Sequence, residues 1–506
     1  MLESPTMGEK KIIIIGAGLA GLSAGCYARM NGFRTRIFEL HSLPGGVCTS
    51  WKREGYHIDG CIHWLMGIKE GSALYRFYNE LGIIQAIKII EIADFGTFMD
   101  EATGKTCGIS ADSDELRRKF LDISPEDREK IDELIENSKR IAEIDMGFEG
   151  EGLIGGISFM IRNWRGIRAY FKYGLPIEDY ARGFKSEWLG TMIRNLFVRG
   201  TPAFFIMMTL GFLFKGQLGM VEGGSLKFVL PIEKTYKKLG GEIDYESPVE
   251  KILVENGSAV GVRLADGTEY RADIVVSACD LHSTLYDMLG SGYAPDSFRK
   301  MFETWKMFEP VIIASFGVKG EIAPMSHLNV IFLKEPFHAG NRQVNRIVVR
   351  DFSYDKTIAG EGKTVVQVEL ETEYGYWSEL ARERGKYDAE KMKVAEMILS
   401  RLEPYYPGIG RKVGMIDVAT PYTFYRYTRN YRGAFEGWVP NAESVRKPVS
   451  KTIPGLRNFY LCGQWVEPGG GVPTAIWSGR KAVKLICKDN GRKFVGAESI
   501  PRFSTP

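Results

Sequence analysis

Three closely spaced glycines near the start of the chain have the pattern of a phosphate-binding turn. Gly16 and Gly18 lie between a strongly apolar run, Lys11–Ile15, and a stretch typical of a helix, Leu19–Met30, and Gly21 lies at the start of that stretch. Glycine at these positions allows a tight turn, close approach of the backbone to a pyrophosphate, and close packing of helix on strand. Free N–H groups at the N-terminus of the helix then face the phosphates. The spacing therefore predicts a dinucleotide site.

An acidic residue supports this interpretation. Phe33–Leu40 is predicted as the second strand, and Glu39 lies at its end. A carboxylate there accepts hydrogen bonds from the hydroxyls of an adenosine ribose and repels a 2′-phosphate. Strand, glycines, helix and acid together predict binding of an adenosine diphosphate group, but they do not separate FAD from NAD.

A second pair of glycines, Gly45 and Gly46, follows the second strand almost at once. Paired glycines let another loop pass close to a cofactor, although a simple surface turn explains the same residues.

A third glycine-rich segment lies near the other end of the chain. Gly463 and Gln464 follow the predicted strand Phe459–Cys462, and Gly469–Gly471 lead into a helix with Pro473 in its first turn. The positive end of this helix is suited to negative charge at the N1/O2 edge of a reduced flavin. A generic loop remains the alternative. With the N-terminal motif, the segment predicts non-covalently bound FAD.

Composition limits the remaining possibilities. The chain has 506 residues, 44% of them hydrophobic and 25% charged, which indicates a globular protein of more than one domain. A net charge of +3 gives no reason to expect nucleic acid binding. Seven scattered cysteines favour a reducing compartment and argue against a disulfide framework or a metal site. The longest apolar run, Phe204–Phe214, is too short to span a membrane. We therefore expect a cytoplasmic protein, with any membrane contact peripheral.

Changes in composition divide the chain. Residues 1–70, 221–285 and 415–506 are predicted to form a FAD-binding domain in three parts, 71–220 a helical region, and 286–414 a substrate-binding domain. Residues 71–150 look helical and charged. The substrate-binding domain is predicted to contain an antiparallel sheet and a closing helix. Its runs are Val311–Val318, Leu328–Leu333, Arg346–Phe352, Thr364–Leu370 and the helix Ala389–Leu402.

Together these segments resemble the flavoprotein family of carotenoid (phytoene) desaturases, carotenoid cis–trans isomerases and retinol saturases. The matching stretches are Lys11–Glu39, Pro44–Gly67, Val221–Asp280, Asp417–Trp438 and Gly455–Ala482. The resemblance implies an α/β fold with an α+β second domain. It implies a discontinuous, Rossmann-like FAD domain of the glutathione-reductase type, an antiparallel substrate domain, and a helical membrane-contact or lid region.

The resemblance also implies which residues contact FAD. The expected contacts are Gly16, Gly18, Leu19, Ala20, Gly21, Glu39, Gly45, Gly46, Val249, Gly463, Gln464, Gly470, Gly471, Val472 and Pro473. Two positions depart from the family pattern. Val47 stands where a basic residue is common, and Gln464 where an acid or small residue is common.

Catalytic residues are less clearly marked. His57, Asp59 and His63 follow the second glycine pair, and Tyr425 and Arg426 lie in a matching stretch near the C-terminus. The first three are candidates for acid–base chemistry, although histidines in such places are more often hydrogen-bonded parts of the structure. Tyr425 and Arg426 are candidates for the cavity wall over the flavin, and capping of a strand is the alternative.

The predicted function is FAD-dependent oxidation of an apolar, isoprenoid-like or carotenoid-like substrate. Desaturation transfers a hydride to flavin N5, whereas isomerisation or saturation uses the reduced flavin. The alternatives are an amine-oxidase-like enzyme with a polar substrate and a non-catalytic flavin protein at a membrane surface. An aromatic pair facing the flavin would indicate the amine oxidase, and a long apolar tunnel the isoprenoid enzyme. The electron acceptor is not predicted.

Residues 151–220 suggest a membrane surface. Aromatic residues accompany eight basic side chains, against three acidic ones, between residues 160 and 200. The basic residues are Arg162, Arg165, Arg168, Lys172, Arg182, Lys185, Arg194 and Arg199. Such a segment can insert aromatic groups between anionic headgroups. Packing of a helical subdomain is the alternative.

Overall fold

The computed structural model describes residues 9–143, 164, 166, 168–169, 171–440, 444 and 448–496, which form a mixed α/β structure. Its α-helices are Leu19–Met30, Ala73–Glu80, Ser113–Ile123, Arg128–Ile141, Ile177–Ala181, Glu187–Arg194, Ala203–Phe214, Ser225–Lys238, Asp296–Thr304, Tyr374–Leu380, Arg384–Leu402, Ile409–Lys412, Pro421–Thr428 and Gly471–Asp489. Its strands are Lys11–Ile15, Arg34–Phe38, Ser50–Arg53, Tyr56–Asp59, Leu65–Met66, Ile89–Glu91, Asp94–Asp100, Lys105–Ser110, Leu218–Val221, Glu242–Asp244, Val249–Glu255, Ser258–Leu264, Glu269–Arg271, Ile274–Ser277, Val311–Lys319, Leu328–Ala339, Arg342–Asp351, Lys363–Glu371, Val413–Ala419 and Phe459–Leu461.

The first sheet is parallel and draws its strands from distant parts of the chain. Lys11–Ile15 lies at its centre, between Arg34–Phe38 and Ile274–Ser277, with Glu242–Asp244 and Phe459–Leu461 at the two edges. The four isoleucines of the central strand are buried, as expected for a strand covered on both faces. This sheet therefore brings both ends of the chain and its middle together.

Two helices pack on this sheet with very little space between them. A methyl group added at Gly479, in Gly471–Asp489, would lie 2.3 Å from the carbonyl oxygen of Ala20, in Leu19–Met30. The backbones touch because glycine has no side chain at the crossing. Each of these helices begins at a glycine-rich turn, so their packing sets the distance between the two turns.

The second sheet has seven strands and is mostly antiparallel. Val413–Ala419 and Lys105–Ser110 form its edges, and the four predicted β-rich runs occupy four neighbouring inner positions. The strand Asp94–Asp100 joins the sheet in parallel beside Leu328–Ala339. Together with Lys105–Ser110 it forms a hairpin where the composition of residues 71–150 predicted helix. The partner strand satisfies backbone groups that a helix would have paired internally.

The described part of the aromatic-rich region, residues 151–220, is buried in part. Ala203–Phe214 packs on Arg128–Ile141 so tightly that a methyl group at Gly211 would lie 2.2 Å from the Ser138 carbonyl oxygen. Trp164 and Phe171, in contrast, have exposed fractions of 52% and 68%. Arg162 and Arg165 lie outside the described residues. Among the residues that the structure describes, no helix is long and apolar enough to cross a membrane.

Candidate cofactor and substrate site

The first glycine turn leaves the central strand of the parallel sheet. Gly16 has a φ of +96°, which favours glycine, and its N–H donates to the Phe38 carbonyl oxygen at 2.8 Å. A methyl group at Gly21 would lie 1.9 Å from the Gly16 carbonyl oxygen. Only glycine fits this contact, so the turn keeps the N-terminus of the helix Leu19–Met30 close to the strand.

Glu39 is buried directly beside this turn. Its carboxylate accepts hydrogen bonds from the N–H groups of Ala17, at 2.5 Å, and His41, at 2.9 Å. Burial raises the pKa of Glu39, although these N–H groups act in the opposite direction. A carboxylate has about four acceptor sites, so the side chain retains capacity for ribose hydroxyls. The position fits the predicted role.

The second glycine pair lies against the first turn. Gly45 donates its N–H to the Ala17 carbonyl oxygen at 2.9 Å, and a methyl at Gly46 would lie 3.5 Å from the Gly18 Cα. The φ angles of the pair, +114° and +61°, explain why two glycines stand here. The two loops therefore run side by side at the carboxyl ends of the parallel strands.

Val249 reaches the same region from the middle of the chain. It begins the strand Val249–Glu255 and follows Ser247, whose N–H donates to the backbone oxygen of Glu39 at 2.8 Å.

The C-terminal glycine segment lies at the carboxyl ends of the same strands. Gly463 donates its N–H to Ser478 Oγ at 2.9 Å, and a methyl on it would lie 3.8 Å from the Ala20 Cβ. Gln464 follows, and Gly469–Gly471 all have positive φ before Val472 and Pro473 enter the helix. Ligands of open parallel sheets bind at the carboxyl ends of the strands, which is where these loops meet.

A large cavity adjoins the C-terminal turn. Its volume is about 1130 Å³, and Gly469–Pro473 form part of its wall. Much of the lining is aromatic, and it includes Trp64, Phe77, Phe95, Phe98, Phe197 and Phe205. Charged side chains of the second sheet line it as well. The cavity is thus neither a purely apolar tunnel nor a small polar pocket.

His63 lines this cavity and is hydrogen-bonded to a carboxylate that lines it as well. Its Nε2 lies 2.8 Å from the Glu369 carboxylate, which in turn lies 3.5 Å from Arg350 Nη1. Burial acts to raise the pKa of Glu369, but His63 and Arg350 outweigh it and lower the pKa to about 2. Because Glu369 is therefore an acceptor at neutral pH, His63 Nε2 carries a proton, which leaves Nδ1 for other contacts.

Asp59 and His57, which the sequence analysis named together with His63, do not line the cavity. Asp59 is buried, accepts from the Ser225 N–H at 2.7 Å and pairs with Arg350 at 3.3 Å. His57 lies on the hairpin Ser50–Asp59, where its N–H donates to the Ile358 carbonyl oxygen.

Tyr425 and Arg426 are also absent from the cavity lining. Both belong to the short helix Pro421–Thr428. The Tyr425 ring lies 5.6 Å from that of Tyr374, and Arg426 donates to the Tyr427 hydroxyl at 2.9 Å.

Glu436 is a cavity residue that sequence reasoning missed. A methyl group on Gly470 would lie 2.5 Å from its carboxylate, and the Gly471 N–H donates to it. Burial raises the pKa of Glu436 to about 7, with the Gly471 hydrogen bond acting in the opposite direction. Its position in a matching stretch was the only signal, because no spacing rule connects it with the turn 34 positions later.

Exchanging Glu39 for arginine is expected to weaken FAD binding by more than about tenfold, because hydrogen bonds to charged groups contribute about 1.5–3 kcal/mol. The cation cannot accept from ribose hydroxyls or from the Ala17 N–H. Titration of flavin-depleted protein with FAD measures the effect. Glu321→Arg, an exposed position in the loop after the strand Val311–Lys319, provides the same charge change as a control. Equal FAD affinities of the two variants would show that Glu39 does not bind the ribose.

Comparison with known proteins gives a consistent result. The model of a family described as flavin containing amine oxidoreductase matches residues 19–487. A lycopene-forming phytoene desaturase from Pseudescherichia vulneris is 23% identical, with 95% of this chain and 99% of that protein covered. A chloroplastic prolycopene isomerase from Daucus carota is 24% identical, with 96% of this chain and 81% of that protein covered.

Among solved structures, a putrescine oxidase bound to putrescine superimposes with a TM-score of 0.61 at 15% identity. The match covers 95% of this chain and 99% of that one. At this identity the likeness concerns the fold alone. The comparisons confirm the resemblance to carotenoid desaturases and isomerases and the presence of a flavin cofactor, FAD.

Proposed function

The chain belongs to the family of flavin-containing amine oxidoreductases, and we propose that it acts on an apolar, isoprenoid-like substrate. It is an FAD-dependent oxidoreductase. The observation that carries the proposed substrate class is the aromatic-walled cavity of about 1130 Å³ beside the glycine turn Gly469–Gly471. The names of the curated relatives, phytoene desaturase and prolycopene isomerase, agree with such a substrate.

We assign the cofactor contacts to the converging loops. The turn Gly16–Gly21 and the pair Gly45 and Gly46 hold the pyrophosphate, Glu39 the ribose, and Val249 the adenine side. The ribityl chain and the ring lie along Gly463, Gln464, Gly470, Gly471, Val472 and Pro473. Bound FAD supplies the redox step by exchanging a hydride with the substrate.

The chain itself orients the substrate and excludes water. The Trp64 ring packs edge-on against Phe95 at 4.7 Å and lies 6.0 Å from the Phe197 ring. These three rings form a continuous apolar wall. His63 presents a ring nitrogen beside this wall, because Glu369 holds the other one. This nitrogen accepts or returns the proton that accompanies a hydride transfer.

An amine-oxidase-like reaction is the second candidate. The charged part of the cavity lining favours it, since a hydrocarbon makes no use of charges. The two candidates differ in substrate class and share the cofactor.

Mass spectrometry of reacted lipids tests the proposal. The flavin-loaded protein, oxidised or reduced without air, is incubated with a lipid extract of its host. A product lighter by two hydrogens indicates desaturation, one heavier by two indicates saturation, and an unchanged mass with altered retention indicates isomerisation. Oxidation of amines alone, with no lipid product, would support the second candidate instead.

The pH dependence of the flavin is expected to depend on Glu436. Its pKa of about 7 means that the side chain gains negative charge as the pH rises through neutrality, next to the turn assigned to the ring. Negative charge there disfavours the reduced flavin, so the midpoint potential falls more steeply with pH than in Glu436→Gln between about pH 6 and 8. Spectroelectrochemical titration measures both slopes, and parallel slopes would remove Glu436 from this role.

We also propose that the exposed aromatics of the helical region touch an anionic membrane. Replacing Trp164 and Phe171 with serine is expected to reduce flotation with phosphatidylglycerol vesicles, because both side chains are more than half exposed. Replacing Leu43 and Met392 with serine is the control, because both are also exposed but lie outside residues 151–220. Equal flotation of the two double variants would contradict this contact.

A further inference from the structure

Four cationic side chains gather along one part of the cavity lining. Arg199, Lys306, Arg342 and Arg346 all contribute to the wall, and we refer to them as the cationic rim. They come from three distant parts of the chain. Carboxylates of the same region are Glu309, Glu371 and Glu373, of which the first two also line the cavity.

Two members of the cationic rim are paired. Arg342 lies 3.2 Å from Glu309 and 3.3 Å from Glu373, and Arg346 lies 2.8 Å from Glu371. These pairs use Glu309, Glu371 and Glu373. A further carboxylate, Glu178, accepts the backbone N–H of Gly200 at 2.9 Å.

The other two members, Arg199 and Lys306, have no ion-pair partner among the residues that the structure describes. They are close to one another, because Lys306 Nζ would lie 4.0 Å from a methyl group on Gly200, the neighbour of Arg199. Both are exposed at this end of the cavity. The rim therefore contains two exposed cations that no described carboxylate pairs with.

Arg346 is less exposed than Arg199 and Lys306. Its side chain is only 18% exposed. Burial lowers the pKa of its guanidinium, and the positive charge of Arg199 lowers it further in spite of Glu371. An anion at this point would relieve the repulsion between the two arginines.

The rim continues directly into the aromatic wall. Phe197 precedes Arg199 by two residues, and its ring stacks on Phe205 at 6.0 Å and lies 6.0 Å from Trp64. An apolar chain along these rings leads from the rim to His63. Placing a pure hydrocarbon against the rim would instead remove water from unpaired charges, which is costly.

From this arrangement we infer that the substrate carries an acidic group, a carboxylate or a phosphate, which binds the cationic rim while its apolar chain follows the aromatic wall. The inference rests on the proposed function and narrows its substrate class to amphiphilic acids. Guanidinium groups suit both anions because their N–H donors match two acceptor oxygens at once.

Binding of cis-parinaric acid and of its methyl ester to the FAD-loaded protein tests the inference. The two fluorescent polyenes differ only in the charged group. We expect the acid to bind at least about tenfold more tightly, because the ester cannot form a charge-assisted hydrogen bond. Arg199→Gln should remove most of this preference, whereas Glu371→Gln should increase it by releasing Arg346 from its partner.

Arg382→Gln is the matched control, because this arginine is exposed and distant from the cavity lining. Its acid-to-ester ratio should equal that of the unaltered protein. Flavin absorbance and unfolding temperature confirm that each variant is folded. Competition by farnesoic acid and by farnesyl phosphate then identifies the preferred anion, and stronger displacement by either one than by farnesol supports the inference.

Equal affinity for acid and ester would overturn the inference that the substrate carries an acidic group. It would not contradict the proposal that the substrate is apolar. Failure of both probes to bind would count against the proposed function itself. Loss of binding to phosphatidylglycerol vesicles in Arg199→Gln, with an unchanged acid-to-ester ratio, would show that the rim meets lipid headgroups and would also overturn the inference.

Discussion

Gly479→Ala is expected to release FAD and to destabilise the protein, although it adds only one methyl group. The new carbon would lie 2.3 Å from the Ala20 carbonyl oxygen and 2.8 Å from the Ala24 nitrogen. Both neighbours are backbone atoms of a buried helix, so the two helices must move apart. Overpacking of this kind costs about 1–3 kcal/mol, and the cofactor loss comes in addition.

The cofactor loss follows from the position of the two helices. One begins at the turn Gly16–Gly21 and the other at Gly469–Gly471, so spreading them moves both proposed contacts with FAD. We expect FAD affinity to fall by more than about tenfold, since small displacements of buried charged hydrogen bonds remove much of their energy. Flavin retained after gel filtration and thermal unfolding provide the two measurements.

Gly385→Ala provides the matched control. This glycine lies near the start of the helix Arg384–Leu402, and no other atom lies within 4 Å of the added methyl group. Alanine favours a helix by about 1 kcal/mol over glycine, so the control should be neutral or slightly stabilising. Full retention of FAD by Gly479→Ala would show that the helix crossing does not position the turns.

Arg350→Met is expected to have the largest effect on stability. The guanidinium is 3% exposed, lies 3.3 Å from Asp59 and 3.5 Å from Glu369, and donates to the Ile62 carbonyl oxygen at 2.7 Å. Without it two buried carboxylates lose their common partner. Breaking a buried pair by removing one member costs about 3–5 kcal/mol.

The effect should depend on pH in a defined direction. In the unaltered protein the pKa of Glu369 is lowered to about 2, so its contribution to stability is lost only as the pH falls through that value. In the variant, burial is opposed by His63 alone, and the pKa of Glu369 rises. Protonation then relieves the buried charge, so the loss of stability is smaller at about pH 5 than at about pH 8.

Urea unfolding at both pH values measures this difference. Arg382→Met removes an exposed arginine that pairs with Glu379, and surface pairs contribute about 0–1 kcal/mol, so it serves as the control. If Arg350→Met resembled this control, or if its effect did not change with pH, the buried cluster would not hold the site together.

Charged clusters were the least predictable part of the site. His63, Arg350 and Glu369 stand far apart in the sequence, and no local pattern relates them. The sequence marked His63 only together with His57 and Asp59, yet the structure places only His63 in the cavity lining. For Glu436 the only signal was its position in a matching stretch, and of the cationic rim the sequence analysis singled out Arg199 alone, for another role. A side chain's charge environment depends on which strands become neighbours, and that is settled by packing.

The hairpin Asp94–Ser110 shows the same limit for the fold. Its charged surroundings suggested helix, but the strand Leu328–Ala339 pairs with it across more than two hundred intervening residues. Local propensity is a weak guide where such a distant partner supplies the hydrogen bonds.

The glycine turns, the strands and helices around them, and FAD as the cofactor could all be predicted from the amino-acid sequence. Each of these depends on contiguous residues: a positive φ or a backbone contact that excludes a side chain acts within one turn, and strand and helix patterns repeat over a few residues. Three properties could be seen only in the folded chain: which turns meet, which side chains line the cavity, and where cationic side chains gather. Those properties arise from contacts between distant segments, because burial and electrostatic pairing exist only once the chain has packed.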